Sequence, residues 1–184
     1  MRISYCLRRW AGRRTARVRR FVVAAVVALV FVRPASATVV PRLPLDRIVR
    51  AADRIVYGTV TDVRSGRDDA GLTATWVTLA VSRAVKGHVG AQLTLKQYGV
   101  DTPLADGTVT RVAGLPRYQV GDEVVLFLHP DSRRGFTSPV GFAQGAYRVS
   151  RRGGRARVHA DGVRGHEQDL DAFLSDLQQV VGGP

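Results

Sequence analysis

Residues 73–85 alternate without a break: Trp76, Thr78, Ala80 and Ser82 fall on one side, Val77, Leu79 and Val81 on the other. A period of two over this length specifies a strand with one buried face, and no one-sided helix can use it. Residues 54–63 ("RIVYGTVTDV") are rich in β-branched and aromatic residues and predict a partner strand, joined through the turn "RSGRDDAGL" at 64–72. Residues 92–98 ("QLTLKQY") alternate again, and residues 107–112 ("GTVTRV") predict a short fourth segment. After the loop "GLPRYQVGD", residues 123–128 read "EVVLFL". That run is apolar on both faces, which predicts a central strand buried on both.

The remainder frames these strands. Residues 136–150 predict one or two more, with Gly141 and Gly145 at bulges or bends. Residues 155–159 predict a last short strand, paired to 146–150 through Arg152-Gly153-Gly154. Leu45, Ile48, Val49 and Ala52 have helical spacing behind Pro44, which suits a helix start. Leu170, Phe173, Leu174, Leu177, Val180 and Val181 give an amphipathic helix over 167–181. Glu167, Asp169 and Asp171 stand where its dipole favours acids, and Gly182-Gly183-Pro184 ends it. The expected fold is mainly β: a small, closed or partly closed antiparallel barrel with a short N-terminal helix and a C-terminal amphipathic helix.

Charge divides the chain. Of 28 Lys and Arg, nine (all Arg) lie in residues 1–37 with no acid. Residues 38–184 hold 19 basic and 15 acidic residues, so they carry +4 of the total +13. The Arg-rich start is followed by twelve apolar residues, 21–32, then Arg33-Pro34 and Ala35-Ser36-Ala37. This is the layout of a secretory signal peptide, with cleavage between Ala37 and Thr38. Twelve helical residues span about 18 Å, short of the roughly 30 Å hydrocarbon core, which disfavours the alternative of a retained N-terminal anchor. Cys6 falls inside the signal, so the mature chain has no cysteine and holds together by its core alone. The expected organisation is a signal at 1–37, a lead-in and short helix at 38–53, the barrel at 54–160 and a packed helix at 161–184. Location follows as secreted or in the cell envelope, with membrane contact only through the signal segment during export.

Several clusters raise chemistry. His159, Asp161 and His166 are the best metal-ligand set, and they carry the weak alternative of a metal-dependent hydrolase. Their spacing matches no strong motif, and loop residues beside a helix cap account for them. His129-Pro130-Asp131 with Ser132 or Ser138 suggests a triad, but no nucleophile elbow is present. Asp122-Glu123 and Asp68-Asp69 read as charged turns before they read as acid/base or calcium groups. No catalytic residue and no cofactor is assigned. Arg151, Arg152, Arg155 and Arg157, with Arg148 and Arg133-Arg134 nearby, form the only charge run. Beside Tyr147, Phe142 and Tyr98 they suggest a site for an envelope polyanion or a carbohydrate. A net +4 on an exported chain argues against nucleic acid. Trp76 and Tyr57 read as packing residues.

The segments "AADRIVYGTVTDV", "TWVTLAVSRAVKGHVGAQLTLKQYG", "GLPRYQVGDEVVLFLHPD" and "VGFAQGAYRV" together resemble an uncharacterised family of exported bacterial proteins. Their strand layout resembles the oligonucleotide/oligosaccharide-binding (OB) barrel of tissue inhibitors of metalloproteinases and netrin-like modules. The resemblance spans residues 51–150. Its shared motifs are turns and strands that speak to architecture more than to activity. Barrel layout, export signal and the lack of a catalytic constellation point to a non-enzymatic binding or interaction module for another exported protein, including a protease. In those inhibitors a mature N-terminal cysteine chelates the target zinc; here Thr38 would stand at that end, without a disulfide to fix it. N-terminal sequencing of the exported protein is expected to begin at Thr38, and a mature chain still carrying residues 21–32 would overturn the signal-peptide reading.

Overall fold

The computed structural model describes residues 42–161 and 167–182. The signal segment with its Ala37–Thr38 junction, and His166, lie outside the described residues. Helix α1 (Leu45–Ala51) leads into β1 (Arg54–Arg67), β2 (Thr73–Lys86), β3 (Gln92–Tyr98) and β4 (Glu123–Leu128). A 3-10 turn (Phe142–Gly145) precedes β5 (Ala146–Arg152), β6 (Arg155–Ala160), the two-residue β7 (Gln168–Asp169) and α2 (Leu170–Gly182). The strands form one antiparallel sheet in the order β3-β2-β1-β4-β5-β6-β7. The fold is mainly β with a short leading helix and a C-terminal helix, as the pattern predicts.

The sheet itself does not close into a barrel; β3 and β7 are its edges. Residues 136–140 lie across the gap between β3 and β4 by isolated bridges, Lys96 with Phe136 in parallel and Leu128 with Pro139 antiparallel. Thr137 N–H donates to Lys96 O at 2.9 Å and Val140 N–H to Phe127 O at 2.8 Å. Gly145 is fixed by this crossing, because a Cβ there would lie 2.4 Å from Val140 O.

β1 and β2 are each 14 residues long, and their register shifts at Ile55/Val56, Tyr57/Gly58 and Val60/Asp62. Such bulges bend a strand and raise its twist. Gly58 sits at a close approach: a Cβ would meet Ala80 O at 2.4 Å. β1 therefore pairs with β2 along its length, but with β4 only over residues 54–59.

Two cores result. Val56, Val60, Val77, Leu79, Leu93, Leu95, Val124, Leu126 and Leu128 fill the concave face. Ile55, Val125 and Phe127 face the other way, against Ile48 and Val49 of α1 and Leu170, Phe173, Leu174 and Leu177 of α2. Phe127, Tyr147 and Phe173 stack there, with ring centroids 5.5 Å (Phe127–Tyr147) and 5.0 Å (Tyr147–Phe173) apart. α1 is seated by Lys86, whose Nζ donates to the carbonyls of Val49 (3.0 Å) and Ala52 (2.6 Å) at the helix end. α2 begins later than its acids suggest: β7 takes Gln168 and Asp169, and Asp169 Oδ1 accepts from the N–H groups of Asp171 and Ala172 as an N-cap.

Other boundaries differ from the sequence reading. The turn after β1 shrinks to residues 68–72 because Asp68 Oδ1 accepts from Ala70 and Leu72 N–H. The segment expected as a strand at 107–112 is not one. Gly107, at φ +78, turns the chain back, and only Thr110 bridges to Val100, within a long loop over residues 99–122. Phe173→Ala is expected to cost about 3–5 kcal/mol in urea unfolding, the range for a buried phenylalanine. A loss below about 1 kcal/mol would mean that α2 contributes little to the second core.

Candidate functional site

The mismatch between the long β1–β2 hairpin and the short β4 leaves half of the concave face uncovered by strand. The loop 99–122 roofs it and encloses a cleft of about 560 Å3, within the roughly 300–1,000 Å3 of ligand pockets. Strand alternation sets its floor. The inward positions of β3 run Leu93, Leu95, Gln97, those of β2 include Thr75, and Val63 and Ser65 follow on β1. Thr75 Oγ1 donates to Gly99 O at 2.8 Å and lies 3.2 Å from Ser65 Oγ. From the roof, Tyr118 packs into the concave core beside the cleft.

Gln97 and Tyr118 are the cleft-lining members of a set of described residues, with Arg54, Ser150 and His159, that hold a buried side-chain atom without a hydrogen-bond partner. Gln97 and Tyr118 are 5% and 8% exposed. Gln97 Nε2 and the Tyr118 hydroxyl are buried with no hydrogen-bond partner among the described residues. Burial pushes the Tyr118 phenol far above its ordinary value, against the opposing charge of Arg148, so it stays protonated and keeps its donor. At the rim, Asp101 lies 3.7 Å from Arg111 and 3.3 Å from Arg117.

An aromatic shelf adjoins the cleft, around a smaller hollow of about 270 Å3 lined by Tyr98, His129, Phe136 and Phe142. Tyr98, Val112 and Leu115 line both spaces. Tyr98 is 46% exposed and meets Phe136 edge-on at 5.9 Å. Lys96 Nζ sits 4.1 Å from the centre of the Phe136 ring and 2.8 Å from Asp68 Oδ2. Phe142 is 43% exposed and has φ +60. For a bulky side chain that left-handed conformation is an outlier that surrounding structure must impose. Ala143 N–H, donating to Gly114 O at 2.9 Å, ties this turn to the roof.

The residues singled out from the sequence are placed differently. Neighbours along a strand point to opposite faces, so the arginine hairpin does not form one basic surface. Arg151 points to the helix side and grips Glu123 in a bidentate pair, Nε to Oε1 at 2.7 Å and Nη2 to Oε2 at 2.9 Å, with the Tyr57 hydroxyl donating to Glu123 at 2.8 Å. Arg148 faces the other way and binds Asp122 (2.8 Å), Asp161 (3.3 Å) and the carbonyl of Arg117. Burial works against its charge, yet Asp122 and Asp161 hold Arg148 above the ordinary arginine value. Arg152 and Arg155 oppose each other at the exposed hairpin tip, and Arg157 pairs in register with Ser150 and Asp169. Tyr147, expected beside the arginines, is in the helix-side core.

Among the described residues no group of three or more His, Cys, Asp or Glu side chains is arranged to hold a metal. Within the set His159, Asp161 and His166, Asp161 is engaged by Arg148, and His159 Nδ1 is buried without a partner among the described residues. Asp131, expected beside His129, pairs instead with Arg54, and Ser132 Oγ accepts from Phe136 N–H at 3.0 Å. Both carboxylate oxygens of Asp68 are occupied, one by turn N–H groups and one by Lys96.

The sequence reading did not single out Gln97, Phe136 or Tyr118. Gln97 has a signal, a polar residue continuing an inward apolar row. Tyr118 lies in a loop with no periodicity to place it. No model of a known protein family matches this chain, and comparison with curated proteins finds no match.

Hydrogen bonds from Arg151, and from Tyr57, hold the Glu123 carboxyl below its ordinary value against the effect of burial. A lowered folded value means the pair stabilises the fold above the unfolded value near 4.3, and the benefit fades as pH falls through the folded value. The melting temperature of Glu123→Gln is expected below that of the parent above about pH 5, with the gap closing on acidification. A gap independent of pH would contradict this role for the carboxylate.

Proposed function

We infer that this chain is an exported, non-enzymatic binding module that receives its ligand in the cleft beneath the 99–122 loop. One observation carries the reading: two residues that line the cleft, Gln97 and Tyr118, each hold a buried polar group, Nε2 and the hydroxyl, with no protein partner among the described residues. Leaving such a group unsatisfied costs about 1–3 kcal/mol, and folded proteins tolerate this where a site needs it. Binding is favoured over catalysis by what the reactive residues do. Asp131, Glu123, Asp122 and Ser132 are each held in structural pairs or turns.

Export rests on the basic, apolar and Ala35-Ser36-Ala37 layout. Five extended segments curved about an apolar interior, counting residues 136–140, are the form of a partly open OB barrel, and such barrels serve as binding modules. Action on an exported protease would require the mature end at Thr38, whereas the cleft requires nothing of it. The cleft is also favoured over the arginine hairpin, since Arg148 and Arg151 are already neutralised by carboxylates.

Tyr118→Phe separates a ligand-directed hydroxyl from a structural one. Removing an unpartnered buried hydroxyl while keeping the ring is expected to stabilise the fold by about 1–3 kcal/mol in chemical denaturation. Destabilisation instead would make the hydroxyl a structural group and remove the observation on which the cleft rests.

A further inference from the structure

We propose that the cleft and the aromatic shelf together bind a neutral carbohydrate chain, with one sugar ring in the cleft and the next on Tyr98 and Phe142. The proposal rests on the cleft being the binding site and assigns the chemistry of what enters it.

Four features select this ligand class. First, the cleft presents uncharged hydroxyls and amides: Ser65, Thr75, Gln97, Thr102, Thr110 and Tyr118. Its charged residues Asp101, Arg111 and Arg117 interact with one another at the rim. A phosphate or sulfate polymer would find one surplus cation there, and a nucleic acid needs many more.

Second, the unpartnered groups match a polyol. Gln97 Nε2 offers two N–H donors, and the Tyr118 hydroxyl both donates and accepts. Sugar hydroxyls supply both kinds of partner at short spacing, and meeting them requires the two side chains to turn toward the cleft, since both atoms are closed to solvent without a ligand. An aliphatic ligand would leave the two groups unsatisfied at the cost they already carry.

Third, the shelf exposes two aromatic rings, Tyr98 and Phe142, to solvent. A pyranose ring has one face of C–H groups, and the negative face of an aromatic ring attracts them while both surfaces are dried. Tyr98 is braced by the edge-on contact with Phe136. Phe142 is held outward by a backbone conformation that a glycine would adopt without strain. Strain retained to keep a phenylalanine at the surface points to a use for that ring.

Fourth, Tyr98, Val112 and Leu115 line both spaces. A ligand longer than one ring can therefore leave the polar cleft and continue over the shelf without crossing a charged barrier. An extended peptide, the other polymer of this width, would rely on main-chain pairing with a strand edge, and at Lys96 the edge of β3 is already taken by Phe136 and Thr137.

The test is calorimetric titration of the full chain, in separate experiments, with maltohexaose, cellohexaose, chitohexaose and an uncharged hexapeptide of Gly, Gln and Thr. At least one hexasaccharide is expected to bind with a Kd below about 1 mM. Tyr98→Ala and Gln97→Leu should each weaken that binding at least tenfold. Phe142→Gly should weaken it likewise while leaving the melting temperature unchanged or raised, so its loss is not a loss of fold. If no hexasaccharide binds but the peptide does, and Gln97→Leu abolishes it, the carbohydrate assignment falls while the cleft stands as a binding site. Saccharide binding that survives all three substitutions would overturn the placement. Absence of binding by every probe would overturn the carbohydrate proposal, leaving the cleft to be judged by Tyr118→Phe.

Discussion

Everything in this fold hangs on β4 being apolar on both faces. Val124, Leu126 and Leu128 enter the concave core, while Val125 and Phe127 enter the helix-side core. A strand with no solvent face must be covered twice. The curled sheet supplies one cover and the two helices the other. The short motifs around it keep those covers in place. Asp53 N–H donates to Leu128 O at the start of β1, Lys86 caps α1, and Gly87 adopts φ +80 where a Cβ would lie 2.9 Å from Asp53 O. Gly121, at φ +93, donates to Val60 O at the entrance to β4. The "VKG" and "GDE" triplets therefore serve the architecture.

What could be read from the sequence follows from which signals are local. β3 and β4 match their expected spans, because alternation and double-faced apolarity are properties of the strand itself. β1 outlasted its expected end by four residues, since pairing with β2 carries Arg64–Arg67 despite their turn-like composition. Residues 136–140 and the loop 99–122 carried no usable period. Their conformations are fixed by long-range hydrogen bonds, to Lys96 and Phe127 for the first and between Gly114 and Ala143 for the second. The site suffered most from this limit. Gln97 could be placed by parity, whereas Tyr118 reaches the core only through a loop. The arginine run misled for a related reason: proximity in sequence suggested one surface, but a period of two sends Arg151 away from Arg148 and Arg152.

Charge in the described domain is mostly spent on internal order. Arg54 with Asp131, Lys96 with Asp68, Arg148 with Asp122 and Asp161, and Arg151 with Glu123 each join segments far apart in sequence. Exposed pairs of this kind contribute little singly, but the bidentate and partly covered ones also orient the side chains that hold them. A mildly basic total is thereby compatible with a cleft whose lining is nearly neutral.

The cleft is a geometric consequence of strand length before it is a matter of chemistry. At about 3.3 Å per residue, a 14-residue strand runs roughly 46 Å and a six-residue strand roughly 20 Å. β4 can therefore back only the first half of the β1–β2 hairpin. Had the inward row stayed apolar beyond that point, the uncovered half would be an exposed hydrophobic surface prone to association. Instead the row turns polar at Ser65, Thr75 and Gln97, and a loop closes over it. A roof alone would require those groups to be satisfied by the loop. Thr75 is, through Gly99, and Ser65 lies within reach of Thr75. Gln97 Nε2 and the Tyr118 hydroxyl find no partner among the described residues. The length mismatch explains why a cleft exists, and Gln97 and Tyr118 are the lining residues whose buried polar groups the roof leaves unpaired.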